Sequence, residues 1–156
     1  MTRFVICALV SFLLAACGAG VATQPQEQAT RLSTSGGSAH GQINAIRAAG
    51  GRPAPTRNAT LDSAARAHAH DMASRGFFSH KGSNGAGVGQ RVTGAGYRWC
   101  TVSENISQGY PNAAAAVEGW RISAGHYRNM VSGKNKEYGL ANVGDVWVMV
   151  MAASKC

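Results

Sequence analysis

The sequence predicts an α+β fold, with helices packed on a small sheet. Three observations lead there. The segment from Thr60 to Gly76 repeats its apolar residues at helical steps. The final stretch, "EYGLANVGDVWVMVMA", reads as a closing hairpin with its turn near Asn142 to Asp145. Between and before these, helical and strand-like segments alternate, punctuated by glycine and proline. No internal repeat is visible, and 156 residues hold one domain once the N-terminal segment is set aside.

That segment, residues 1–16, carries Arg3 and then an apolar run from Phe4 to Ala16. The run is short for a bilayer span and is followed by small residues, which is the pattern of a secretory signal. "LLAAC" resembles the lipobox of bacterial lipoproteins, in which the cysteine becomes the lipid-bearing first residue. The resemblance implies acyl chains on Cys17, a membrane as partner, and a domain exported and lipid-anchored at the cell envelope (outer membrane or cell surface). Ordinary cleavage nearby would instead give a secreted protein with a free Cys17 thiol. Residues 17–38 are polar, small and aperiodic, a linker reading.

The domain is expected over 39–156. "GQINAIRAAGG" places Ile43 and Ile46 at helical spacing before the stop at Gly50 and Gly51, and "RPAPTRN" is a turn-rich connector. In "TLDSAARAHAHDMASRG", Leu61, Ala65, His68 and Met72 line one face, with Thr60 to cap the start and Gly76 the end. His70 lies about 200° round from His68, so "HAH" does not chelate one metal from a regular helix. His68 reads as a core histidine and His70 as solvent-facing. "KGSNGAGVGQ" lacks the GK[ST] of a phosphate loop and reads as a surface loop. "WCTVSENIS" reads as a short strand containing Glu104, a charge among apolar neighbours that needs a partner. "PNAAAAVEGWRIS" reads as a helix with Pro111 in its first turn and Ala114, Val117 and Trp120 facing the core.

Export changes how the cysteines are read. Cys7 leaves with the signal and Cys17 is taken by lipid, so Cys100 and Cys156 remain as an even pair in an oxidising compartment, where a disulfide is the default. Such a bridge constrains the unfolded chain by about 4 kcal/mol in the entropy account. A two-cysteine zinc site lacks any CxxC spacing to support it. The formal charge of +8 favours an anionic partner, an envelope polymer or lipid. The cations are scattered without interleaved aromatics, which argues against nucleic acid.

His80, Glu104 and His126 each end an element or sit on a short strand. Two histidines and a carboxylate can bind a divalent metal or act as an acid/base set around a polarised water. The order of "INAIRAAGG", "AARAHAHDMA", "GFFSH", "AGY", "SENI" and "GHYRNM" resembles the CAP superfamily, which holds cysteine-rich secretory, antigen 5 and plant pathogenesis-related proteins, and in particular its bacterial branch. The resemblance spans from about Gln42 to the last strand. It implies a three-layer αβα sandwich, single-domain, with an open cleft holding two histidines and two glutamates.

Carried over by motif, the resemblance assigns His80, Glu104 and His126 to that cleft. The fourth position, three past Trp120, is Ser123 here and not a glutamate, while Glu118 reads as a surface charge about 140° away on the helix. One carboxylate holds a dication less firmly than two, so the expected cofactor is Zn²⁺ bound weakly by His80 and His126 with waters. Glu104 would orient an imidazole or a metal water, and Asn105 and Asn129 would satisfy backbone groups nearby. Gly125 is expected to break the helix and aim His126 at His80. The function implied is a binding module for a metal and a small ligand, lipid or envelope polymer. The alternative is a metal-dependent, protease-like hydrolase with Glu104 as base.

Overall fold

The structure is a computed structural model describing residues 38–156; the signal segment, Cys17 and the linker up to residue 37 lie outside the described residues. Its elements are α1 (Ala39–Ala49), β1 (Thr56–Arg57), α2 (Ala59–Arg75), α3 (Val88–Gly94), β2 (Thr101–Gln108), α4 (Ala113–Ile122), α5 (Ala124–Met130), β3 (Glu137–Val143) and β4 (Val146–Ala153). No described helix is long and apolar enough to cross a membrane.

The strands form one sheet in the order β1-β3-β4-β2. β4 is central, antiparallel to both β3 and β2, and β1 adds a short parallel pair at the edge. The unbroken apolar run of β4 follows from that place. Val146, Val148, Val150 and Ala152 face one core with α2 and α3, while Met149 and Met151 face the other with α1, α4 and α5. A strand buried on both faces needs apolar residues at every position. Two cores on opposite faces of one sheet make the three-layer αβα sandwich.

Capping explains where the helices begin. Ser38 accepts from the Gly41 amide at the start of α1. The cap of α2 is Asn58 and not Thr60: its extended backbone lets Oδ1 accept from the Thr60 and Leu61 amides, while Nδ2 donates to Glu137 Oε1 at 2.8 Å. The cap therefore also ties α2 to β3. Gly76 closes α2 in the left-handed region at φ 66°, where a Cβ would be strained. Asn112 caps α4, leaving Pro111 outside the helix. With that start, Ala116, Val117 and Trp120 are buried and Ala114 is exposed, because Ala114 lies about 120° from Trp120 around the axis.

Two segments left irregular by the sequence are ordered into elements. Thr56–Arg57 of the connector pairs with Glu137–Tyr138, a contact set by residues far away in the chain. The end of the glycine-rich loop winds into α3, whose first turn is closed by Gln90 Oε1 accepting from the Gly87 amide at 2.9 Å. Cys100 and Cys156 are joined by a disulfide with Cα atoms 5.7 Å apart, fastening the start of β2 to the C-terminus.

α2 lies directly on β3 at Gly139. A Cβ there would overlap the Leu61 carbonyl carbon and the Asp62 nitrogen, and the neighbouring Leu140 amide donates to Asp62 Oδ1 at 2.8 Å. Backbone cannot yield as a side chain can. Gly139→Ala is expected to cost about 3 kcal/mol, the upper part of the range for overpacking, read as a lowered urea midpoint at unchanged slope.

Candidate functional site

Glu104 sits midway along β2, opposite Val150, and is 6% exposed. An isolated carboxylate in such a place would lose most of its hydration. Two side chains compensate, and a third stands close by. Oε2 accepts from Arg91 Nη2 at 2.6 Å, Oε1 accepts from His80 Nδ1 at 2.9 Å, and His68 Nε2 lies 3.9 Å from Oε1. The helical step from Leu61 through Ala65 buries His68 completely, and its Nε2–H donates to the Ser79 carbonyl at 2.9 Å. That bond fixes the chain just before His80.

Arg91 acts twice on the same histidine. Besides pairing with Glu104, its Nη1 donates to the His80 carbonyl at 2.9 Å and to the Ala86 carbonyl at 2.6 Å. Backbone and ring of His80 are thus both held from α3. Because Nδ1 donates to a carboxylate, the His80 tautomer leaves Nε2 as a free lone pair, and the side chain is 59% exposed.

His126 occupies the first turn of α5. The break before it falls at Ser123, whose φ −94° and ψ 115° end α4 and begin α5. Gly125 lies inside α5 without a positive φ, so the expected glycine hinge is a serine hinge. Only glycine's frequency at helix ends had pointed to Gly125; an extended ψ is open to any residue. Asn105 Nδ2 donates to the His126 carbonyl at 3.1 Å, and Asn129 Nδ2 donates to Asn105 Oδ1 at 2.9 Å and to the Glu104 carbonyl at 3.3 Å. These amides stitch α5 to β2 through backbone groups, as expected. Burial pushes the His126 imidazole below its ordinary range and the nearby His80 pushes the same way, so it is neutral at neutral pH.

His80 and Glu104 are therefore in direct contact, while His126 is joined to their strand by its backbone carbonyl, through the Asn105–Asn129 amides. Among the described residues, its imidazole makes no hydrogen bond to either, and no group of three or more His, Cys, Asp or Glu is arranged around one metal. The nitrogen donors that remain are Nε2 of His80 and the imidazole of His126, the ligand type that zinc accepts. Glu118 pairs with Arg121 at 2.6 Å on the surface, away from this set.

Arg91 and His68 are the members that sequence reasoning missed. Glu104 on a strand signalled that some cation must lie opposite, but nothing in the glycine-rich loop singled out Arg91. His68 was placed correctly in the core, yet its approach to Glu104 depends on how α2 crosses β2.

Residues 40–147 match the family model described as "CAP: Cysteine-rich secretory protein family". No curated protein matches the chain. Among solved structures, the chain is similar to an extracellular protein containing a SCP domain from Bacillus anthracis (20% identity, TM-score 0.71), covering 83% of this chain and 43% of that one. It is similar to an outer surface protein from Borrelia burgdorferi (15% identity, TM-score 0.67; 84% and 95%). It is also similar to a cysteine-rich secretory protein from Staphylococcus aureus (15% identity, TM-score 0.60; 85% and 40%). The chain thus spans less than half the length of the first and third of these.

Removing Arg91 leaves Glu104 buried without its counter-ion. Arg91→Ala is expected to cost about 3 kcal/mol of stability, measured by urea unfolding. His68 supplies a pH signature. Burial lowers its pKa below the ordinary 6.5 against the opposing pull of Glu104, so the folded chain resists a proton that the unfolded chain accepts. The stability due to neutral His68 is present above about pH 6.5 and is lost as pH falls toward the lowered value. The urea midpoint should fall from pH 7.5 to pH 5.5, with a shallower fall in His68→Gln.

Proposed function

The chain belongs to the cysteine-rich secretory protein family, and from that premise we propose that it is an exported, envelope-anchored binding module. Its His80/Glu104/His126 cleft binds a divalent metal, zinc in the first instance, together with a small ligand, lipid or envelope polymer. The observation that carries the cleft reading is the 2.9 Å bond from His80 Nδ1 to Glu104, whose other oxygen is held by Arg91. A carboxylate with both oxygens occupied orients an imidazole and is poorly placed to take a proton from water. This supports binding over metal-dependent hydrolysis. Zinc, when bound, would polarise whatever shares the cleft, with His80 Nε2 and the neutral His126 as its protein donors. Export and anchoring through Cys17 are supported by the apolar N-terminal run ending in "LLAAC". The extracellular and outer-surface descriptions of structurally similar bacterial proteins support export in the same way.

Zinc titration of the chain from residue 18 onward tests this reading. Uptake is expected in the parent and not in His80→Ala/His126→Ala, with casein uncleaved by either. Glu104→Gln should weaken zinc by roughly 10–100-fold, as for loss of a carboxylate behind a ligating histidine. No uptake by the parent would end the metal reading, and zinc-dependent cleavage lost in the double variant would replace the module with a hydrolase.

A further inference from the structure

The strand register gathers cations that look scattered in the sequence. Thr101 pairs with Ala153, Glu137 with Ala152 and Thr56 with Glu137, so the starts of β1, β2 and β3 and the end of β4 meet at one end of the sheet. The segments that enter and leave there carry Arg52, Arg98, Lys134, Lys136 and Lys155, all exposed. Among the described residues none of these five is in an ion pair; Arg52 and Lys136 donate only to the Val131 and Gly133 carbonyls. Glu137, the Asp or Glu side chain at that end among the described residues, is occupied by Asn58 and the Tyr97 hydroxyl. The opposite end, residues 109–112 and 144–145, carries Asp145 and no lysine or arginine.

Trp99 stands at the cationic end, beside the disulfide, and is 43% exposed. Its indole is held in place: Nε1 donates to the Gly89 carbonyl at 3.1 Å and to Thr93 Oγ1 at 3.0 Å, and a Cβ on Gly89 would come within 2.6 Å of Cζ2. With its only polar atom satisfied inside the protein, the exposed part of this ring is apolar. Exposed cations at the same end of the sheet as an exposed tryptophan meet two demands at once, headgroup charge and hydrocarbon, which a bilayer surface supplies together. A soluble polyanion answers only the charge.

We propose that the end of the sheet bearing Arg52, Arg98, Trp99, Lys134, Lys136 and Lys155 is a docking face for an anionic lipid bilayer. The inference deepens the lipid-partner part of the proposed function and rests on its export, not on its cleft, since none of the six residues hydrogen-bonds His80, Glu104 or His126. With Cys17 as the lipid-bearing residue, only 20 residues, 18–37, separate the lipid from Ser38. That keeps the face within reach of the membrane to which the chain is tied.

Every described element, both apolar cores and the disulfide lie within residues 38–156, so the chain from residue 18 onward carries the folded unit without the lipid. This chain is mixed with sedimenting vesicles of phosphatidylcholine alone or with phosphatidylglycerol added. Binding is expected only to the anionic vesicles, weaker at 0.5 M than at 0.1 M salt. A blue shift of tryptophan emission should accompany it and disappear in Trp99→Phe. Arg98→Ala/Lys134→Ala/Lys155→Ala, folded by circular dichroism, should bind roughly a hundredfold more weakly, at about fivefold per cation. Arg66→Ala/Lys81→Ala/Arg128→Ala, with the same change in charge, should bind like the parent. No binding to anionic vesicles, equal loss in both triple variants, or capture of dextran sulfate without capture of vesicles would each overturn the proposal. If the His80→Ala/His126→Ala variant alone lost vesicle binding, the lipid would belong to the cleft and the docking face would fall while the cleft reading stood.

Discussion

The burial of Glu104 constrains everything around it. A carboxylate on a strand with 2% side-chain exposure would cost several kcal/mol if left alone, and the fold offsets that cost with Arg91 and His80, in a pocket that three separate segments build. Arg91 comes from α3, His80 from the loop after α2, and His68 from α2 itself. The glycine-rich loop is consequently pinned at both ends, since Arg91 also gathers the His80 and Ala86 carbonyls. What reads as a mobile surface loop is the connection that lets one guanidinium serve as counter-ion and brace.

The opposite layer solves a mirror-image problem. Arg47 is 1% exposed and has no carboxylate. Its guanidinium donates instead to four carbonyls, those of Pro53, Met130, Ser132 and Asn135. One of them, Met130, is the last residue of α5, where unsatisfied carbonyls and the helix dipole favour a cation. Arg47 thereby fixes the far end of the helix that carries His126, while Asn105 and Asn129 fix its start against the Glu104 strand. Arg47 and Arg91 lie in different layers yet brace the segments that carry His126 and His80.

What the sequence made legible were features with local causes. The apolar steps of α2, the left-handed Gly76, the closing hairpin and the doubly buried β4 all follow from patterns within a few residues. Motif order supplied the rest of the fold and the expectation of His80, Glu104 and His126 as a set, of which His80 and Glu104 are in contact. The misses share a different origin. Thr60 yields to Asn58 because Asn58 has a second partner in Glu137, far along the chain. Ala114 yields to Ala116 because Ala114 lies about 120° from Trp120 around the helix axis and Ala116 only about 40°. Gly125 yields to Ser123 because an extended ψ needs no glycine. Arg91 carries no local mark at all; only the demand created by Glu104 points to it, and that demand does not name its source.

The charge balance around the cleft bears on what can enter it. Glu104 and Arg91 neutralise one another, so a dication bound as proposed by His80 and His126 would meet little net negative charge. Glu104 is also only three residues along β2 from Thr101, about 10 Å from the cationic end of the sheet. That distance is comparable to the Debye length at 0.1 M salt, so the field of the exposed cations reaches the cleft only partly screened. It opposes a bare metal ion and favours an anion. A negatively charged ligand supplying its own oxygen donors would relieve the deficit, completing the coordination of the metal while cancelling the field that resists it. On the proposed reading, metal and ligand would help each other into the cleft, because each supplies the charge that the other lacks.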